Sequence, residues 1–190
     1  MKTLIFATAA FAVSTTAFAT PARYSIDPAH TYPSFEADHM GISTWRGKIN
    51  KTSGKITFDK TTGKGSVEVE IDLASIDFGL DTLNEWATGD TFFEVSRFPK
   101  AIYKGSLTGL KPGSTAKATG TLTLHGISKP VVLTISAFKC IEHPMFKRDY
   151  CGADATASFK RDDFGLDAGK DYGFRMDVNL RIQVEALIDE

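Results

Sequence analysis

The sequence lacks any run of basic residues. Its 22 lysines and arginines are balanced by 23 aspartates and glutamates, which leaves a formal net charge of −1 at pH 7. Nucleic acids select clustered Lys and Arg, and so do anionic membrane surfaces. After residue 19 no apolar run approaches the roughly 20 residues that a membrane-spanning helix needs. We therefore expect neither a nucleic-acid partner nor a membrane-spanning protein.

The sequence also lacks the short motifs that carry common enzyme chemistry. It contains no G-x-S-x-G elbow, no phosphate-binding G-x-x-x-x-G-K-[ST] loop, no H-E-x-x-H and no G-x-G-x-x-G. Its four histidines, His30, His39, His125 and His143, have no spacing typical of metal ligands. We expect a protein that is not an enzyme, with no catalytic residues, no metal and no required cofactor.

The N-terminus has the pattern of an export signal. Lys2 supplies a positive start, residues 4–13 form a short apolar run, and Ala17-Phe18-Ala19 matches the small-x-small cleavage pattern. This predicts a signal peptide over residues 1–19, which is removed on export to the periplasm. Residues 20–190 remain as a single domain, long enough to bury a sizeable core.

Cysteine is scarce, with only Cys140 and Cys151 in the chain. Export places both residues in an oxidising compartment, where paired cysteines form disulfides. Neither cysteine belongs to a C-x-x-C motif, and one nearby histidine cannot complete a zinc site. The sequence therefore predicts a structural disulfide between Cys140 and Cys151.

What the chain does contain is alternation of apolar and polar residues. Leu122 and Leu124 alternate with threonines, and Leu133 and Ile135 alternate again after a break rich in Gly, Ser, Lys and Pro. Period two on both sides of a turn is typical of a β-hairpin with one buried face. We assign His125 and Gly126 to the turn that sets the register of this hairpin.

Similar alternation elsewhere gives about eight strands, with one interruption at about residues 80–95. There Thr82-Leu-Asn-Glu85 resembles a helix capping box, and Gly89 stands where a helix would end. Long strands with one polar face favour an extended antiparallel eight-stranded barrel with a short helical insertion, since closure removes exposed edges. A β-sandwich is the alternative that would satisfy the same pattern.

An eight-stranded barrel encloses a space that is filled by side chains or holds one small ligand. Alanines alternate in position with phenylalanines on the inward faces, which favours room for a ligand. The predicted ligand-binding positions lie on these faces and on the apolar side of the helical insertion. They are Phe35, Ala37, His39, Phe58, Val67, Val69, Ile71, Trp86, Phe92, Phe93, Leu122, Leu124, Leu133, Ile135, Ala155, Ala157, Phe159, Val178, Leu180, Ile182 and Val184.

Several motifs in order resemble the YceI family of exported lipid-binding proteins. They are Tyr24-Ser-Ile-Asp-Pro-Ala-His30, Phe35-Glu-Ala-Asp-His39, Gly120-Thr-Leu-Thr-Leu-His-Gly-Ile-Ser-Lys-Pro-Val132 and Arg161-Asp-Asp-Phe-Gly165. The resemblance implies a lipocalin-like barrel with a long hydrophobic tunnel and an isoprenoid ligand such as a polyprenyl quinone or polyprenyl phosphate, with another amphiphilic lipid as the alternative. It supplies no catalytic residues. Two departures from the family pattern are Trp86, where a smaller aliphatic residue is common, and the Cys140–Cys151 loop.

Our leading hypothesis is a periplasmic protein that binds, transports or stores an isoprenoid lipid, as a monomer or homodimer. One alternative is an interaction or stress-protection module for a membrane redox protein, in which the lipid is incidental. The other is an enzyme that acts on the bound lipid through His30 or His39.

Overall fold

A computed structural model describes residues 21–190, which form one antiparallel sheet of eleven strands with one α-helix. The predicted signal peptide, residues 1–19, lies outside the described residues. The strands are β1 (Ala22–Ile26), β2 (Tyr32–His39), β3 (Ser43–Ile49), β4 (Thr52–Asp59), β5 (Lys64–Asp72), β6 (Ile76–Asp77), β7 (Lys100–Thr108), β8 (Ala116–Leu124), β9 (Ile127–Glu142), β10 (Asp149–Lys160) and β11 (Asp177–Ile188). Helix α1 spans Asp81–Thr88, and 3₁₀ turns cover Leu73–Ser75, Arg161–Phe164 and Lys170–Tyr172.

Eight of these strands close into a barrel in the order β1, β4, β5, β7, β8, β9, β10 and β11. The ring is completed by antiparallel pairing of β1 with β11, in which Ser25 lies opposite Leu187. Closure pairs the backbone groups that a sandwich would leave at open edges. The predicted eight-stranded antiparallel barrel is confirmed, and the sandwich alternative is set aside.

The remaining strands extend the sheet beyond the ring. Strand β11 pairs with β1 near its C-terminus and with β2 along residues 178–183, so one long strand supports two short ones in succession. Between β1 and β2, the Thr31 hydroxyl donates a hydrogen bond to the carbonyl oxygen of Glu185 at 3.2 Å and accepts one from the Glu185 amide. Strand β3 then pairs with β2, and β6 pairs with β3.

The β8–β9 hairpin turns more tightly than the Gly, Ser, Lys and Pro composition suggests. Only His125 and Gly126 lie between the strands, with φ of 51° and 74°. Positive φ at both central residues is the type I′ geometry that matches strand twist. The turn prediction for these two residues is correct, but Ser128 to Pro130 belong to β9. The His125 ring packs edge-on against Phe98, which holds the tip beside the helical insertion.

Strand β9 contains a bulge that period-two counting does not reveal. Asp154 lies opposite Ala137 while Ala155 lies opposite Ile135, so Ser136 is an extra residue in β9. A bulge of this kind shifts the alternation by one position. As a result Ile135 and Phe138, three apart in sequence, are both buried in the barrel interior.

Helix α1 forms where the insertion was expected, with a different start. Leu80 is the N-terminal cap residue and makes no side-chain capping bond, so the capping-box interpretation of Thr82 was wrong. The side chain of Asn84 instead accepts a hydrogen bond from the Phe78 amide at 2.8 Å. Gly89 ends the helix as expected. Among the described residues, no helix is both long and apolar enough to cross a membrane.

Replacing Gly120 by alanine is expected to lower the free energy of unfolding by about 2 kcal/mol. Gly120 lies opposite Gly105, and an added methyl would stand 2.6 Å from the Gly105 Cα. This contact involves backbone, which cannot move aside without disturbing the β7–β8 pairing. Gly152→Ala is the matched control, since its methyl would meet its nearest neighbours at 3.6 Å or more. Urea denaturation measures both variants, and equal stabilities would contradict the prediction.

Candidate ligand-binding cavity

The barrel encloses a cavity of about 280 Å³. Side chains at the middle of facing walls, such as Val67 and Val69 on β5 and Leu180 and Ile182 on β11, line this cavity and are only partly buried. A core packed to ordinary protein density would bury them fully. The cavity is close in size to the lower end of small-molecule sites, and it is a property of the barrel interior, not of its surface.

One end of the cavity is closed by buried aromatic residues. Phe58 and Phe138 meet edge to face with ring centroids 5.4 Å apart, and Tyr24 beside them is only 2% exposed. The Tyr24 hydroxyl donates a hydrogen bond to the Asp149 carboxylate at 2.6 Å. Burial raises the pKa of Tyr24, and the hydrogen bond to Asp149 raises it further. The hydroxyl is therefore satisfied, and this residue presents carbon to the cavity.

The predicted disulfide lies at the same end. Cys140 on β9 is directly opposite Cys151 on β10, and the two sulfur atoms are bonded. Cys151 is nearly buried and forms part of the cavity lining. The disulfide prediction is confirmed, and the bond joins two strands of the closed end.

The opposite end carries the more exposed lining residues. Trp86 on α1 is 40% exposed and stacks on Phe92, with ring centroids 4.7 Å apart. Trp45 on β3 meets Phe78, three residues before α1, with ring centroids 6.3 Å apart, and it stacks on His39 at 4.2 Å. His39 in turn meets Phe174 edge-on at 4.9 Å. Because the lining is buried at one end and partly exposed at the other, this aromatic end is the mouth of the cavity.

The lining contains two charged residues, Asp38 and Arg161. The Asp38 carboxylate pairs with the Arg175 guanidinium at 2.9 Å and accepts hydrogen bonds from the amides of Arg175 and Gly41. The backbone bond from Arg175 holds the pKa of Asp38 below its usual value, and the Gly41 amide and the Arg175 guanidinium contribute to the same effect. The charge of Asp38 is thus compensated within the protein.

Arg161 is held differently. Its Nη1 and Nη2 atoms donate to the carbonyl oxygens of Leu166 and Ala168, each at 2.6 Å. The residue is 7% exposed, and burial lowers the pKa of its guanidinium. The guanidinium carbon lies 5.8 Å from the centroid of the Phe92 ring, which places Arg161 just inside the mouth.

The neutral polar groups of the lining mostly find partners within the wall. The Tyr103 hydroxyl lies 2.9 Å from the carbonyl oxygen of Ala118 and 3.0 Å from that of Val131, and burial raises the pKa of Tyr103 to about 12. Thr52 is the exception, since its buried hydroxyl has no partner among the described residues. The cavity therefore offers a ligand mainly carbon surface.

The structure brings together all the predicted ligand-binding positions except His39 and Ala157. His39 is the last residue of β2 and stacks on Trp45, two residues beyond Ala37, where β2 stops pairing with β11. Ala157 packs against the core. Ala155 and Phe159, two residues before and after it on β10, both reach the cavity. Which of the lining residues contact a ligand stays a prediction.

Several lining residues were not predicted. Tyr24 and Tyr103 lie at the buried alternate positions of β1 and β7, two strands on which no ligand-binding residue was predicted, although the period-two signal was available there. Phe138 was hidden by the bulge in β9. Arg161 was noted only as part of a motif, because nothing in the sequence indicates that its side chain turns inward.

The fold and the cavity define a lipocalin-like antiparallel barrel with an apolar interior that opens at one end. The chain belongs to the YceI family, since the model of the YceI-like domain matches residues 24–186. Protein YceI of Salmonella arizonae is 30% identical over 190 residues, covering 98% of this chain and 97% of that protein.

Two solved structures share the barrel. The crystal structure of Burkholderia cenocepacia BcnA has a TM-score of 0.71 at 22% identity and covers 84% of this chain and 98% of that one. The structure of a polyisoprenoid binding domain from Saccharophagus degradans has a TM-score of 0.63 at 18% identity and covers 87% and 98%. At these identities, both structures show a common fold.

Proposed function

We propose that this protein binds an isoprenoid lipid, such as a polyprenyl quinone or polyprenyl phosphate, with its tail in the barrel cavity. The observation that carries the proposal is an apolar cavity, closed by Tyr24, Phe58 and Phe138 and open at the opposite end. A one-ended apolar cavity suits a long hydrocarbon chain that enters end-on. The protein acts as a carrier or store, without a cofactor and without chemistry on the lipid.

The affinity of such a complex would come mainly from the tail. Burying a methylene contributes about 0.8 kcal/mol, so one five-carbon isoprene unit contributes roughly 4 kcal/mol. Association costs about 4–15 kcal/mol, which a few buried units would offset. The length and width of the cavity would then select the tail, while polar contacts at the mouth orient it.

The periplasm is the proposed location. The signal pattern of residues 1–19 supports export, and the Cys140–Cys151 disulfide fits an oxidising compartment.

The Saccharophagus relative, whose structure is described as a polyisoprenoid binding domain, supports the ligand class through the shared barrel. A carrier in the periplasm would shield a hydrocarbon tail from water between membranes.

Extraction of lipid from the purified native protein tests this function. The protein is isolated from its own host without detergent, extracted with organic solvent and analysed by mass spectrometry. We expect a prenyl lipid in near-stoichiometric amount, recovered also after the protein is washed and gel-filtered. Repeated recovery of protein without prenyl lipid, together with no binding of added prenyl lipid, would exclude the proposal. Fluorescence of the two tryptophans, Trp45 and Trp86, which both line the cavity, offers a direct readout of the added lipid.

A further inference from the structure

The two charged residues of the cavity lining differ in how their charges are compensated. Asp38 has the Arg175 guanidinium at 2.9 Å and two backbone amides. Among residues 21–190, the Arg161 guanidinium has two hydrogen-bond partners, the carbonyl oxygens of Leu166 and Ala168. A guanidinium has five N–H donors, so these contacts leave donors available. The hydrogen-bonding capacity of the Arg161 guanidinium is therefore only partly used by the cavity wall.

Arg161 also has no ion-pair partner in the part of the chain that the structure describes. Within residues 21–190, no carboxylate lies within ion-pair distance of its guanidinium, although the negative charges of Asp162 and Asp167 act on it from further away. The Asp162 carboxylate is engaged by Lys170 at 2.8 Å. A buried charge without a close counter-charge is costly for a protein. Its position in a cavity lined mainly by carbon points to a ligand that supplies the missing negative charge.

The position of Arg161 defines which end of a ligand it would meet. Its guanidinium lies over Phe92, and Phe92 stacks on the partly exposed Trp86. This series of contacts leads from the solvent into the mouth. The buried floor of Tyr24, Phe58 and Phe138 lies at the other end of the cavity and offers carbon surface.

We propose that Arg161 binds an anionic oxygen head group, so that the ligand is an acidic amphiphile, such as a prenyl phosphate, held with its tail towards Phe58 and Phe138. This inference rests on the proposed function, because the tail must occupy the cavity for the head group to reach Arg161. The remaining guanidinium N–H groups donate to the head-group oxygens. Arg161 thereby selects among lipids that have the same tail.

Binding of matched lipids to the full-length mature protein tests this selection. The probes are geranylgeranyl phosphate, geranylgeraniol and a quinone with the same prenyl tail, titrated below their micelle-forming concentrations. Hydrogen bonds to charged groups correspond to about 10- to 100-fold in affinity. We expect the phosphate to bind at least 10-fold more tightly than the alcohol, with the neutral quinone nearer to the alcohol. A phosphate-to-alcohol ratio below 2, or a quinone that binds more tightly than the phosphate, would overturn the inference.

The variant Arg161→Gln should bring the phosphate-to-alcohol ratio close to 1 while the affinity for the alcohol changes by less than about threefold. Arg97→Gln is the matched control, since it removes a guanidinium that is 70% exposed, pairs with Glu94 and lies outside the cavity lining. The control should keep the ratio of the unmodified protein. Retention of the full ratio by Arg161→Gln contradicts the role of Arg161. If all three lipids fail to bind the unmodified protein, the proposed function itself fails.

Arg161 also supports the chain near Leu166 and Ala168, so a second measurement uses the unmodified protein. Geranylgeranyl phosphate analogues carry a diazirine either beside the phosphate or at the tail end, and labelled peptides are mapped after irradiation. The head-end probe should label residues 86–95 and 161–168, and the tail-end probe should label the strands around Phe58 and Phe138. The reverse pattern, or the same pattern for both probes, would overturn the inference whatever the stability of Arg161→Gln.

Discussion

Substituting tryptophan for Val69 is expected to lower the affinity for a prenyl lipid by about 100-fold or more while leaving the barrel folded. Val69 lies in the middle of β5, opposite Tyr103 on β7, and its side chain lines the cavity. An indole ring there occupies part of a cavity of about 280 Å³. Displacing three to four methylenes of the tail, at about 0.8 kcal/mol each, accounts for the expected loss.

The matched control is Glu68→Trp on the same strand. The Glu68 side chain points outward and pairs with Lys104 at 2.6 Å, an exposed contact that contributes at most about 1 kcal/mol. We expect this variant to bind lipid as tightly as the unmodified protein. Titration with a fluorescent prenyl analogue measures affinity, and circular dichroism with thermal melting reports the fold. A folded Val69→Trp protein with unchanged affinity would show that the tail lies elsewhere.

Much of the barrel follows from the sequence because the alternation of apolar and polar residues is a local property. In β11, Val178, Leu180, Ile182 and Val184 recur at every second position, and all of them line the cavity. A strand with one apolar face must cover that face, and eight strands with short turns do so by closing. The period of the pattern therefore predicted both the strand faces and the interior that they share.

The parts that sequence could not give depend on breaks in that period or on long-range contacts. The extra residue Ser136 moves Phe138 to the inner face, and no composition signal marks a bulge of this kind. His39 keeps the phase of its strand but lies past the end of the wall, which depends on where β2 stops pairing with β11. Helix α1 starts after Leu80, and Asn84 accepts a hydrogen bond from the Phe78 amide, a contact outside the capping-box pattern that replaces the expected cap.

Arg161 illustrates the same limit for the candidate site. An arginine followed by two aspartates ordinarily predicts an exposed turn. In the folded chain the 3₁₀ turn directs its side chain to the carbonyl oxygens of Leu166 and Ala168, which buries it beside Phe92. The inward position of Arg161 therefore depends on contacts with residues five and seven positions away and with Phe92 from another part of the chain.

Removing the disulfide is expected to lower the free energy of unfolding by about 3 kcal/mol, which makes Cys140→Ala/Cys151→Ala the most destabilising change considered. The two cysteines are 11 residues apart, and linking residues at this distance restricts the unfolded chain by roughly that amount. For a domain of this size, each kcal/mol shifts the melting temperature by about 2–4 °C. Calorimetry should therefore show a melting temperature lower by roughly 6–12 °C.

Reduction of the unmodified protein provides the control for this variant. A thiol reductant should lower the melting temperature of the unmodified protein towards that of the double variant. The melting temperature of the double variant should not change, because it has no disulfide to reduce. The strand pairing around the bond, such as Tyr150 opposite Ile141, should keep the barrel closed after reduction. A double variant that melts within 2 °C of the oxidised protein would show that β9 and β10 hold this end of the barrel without the covalent link.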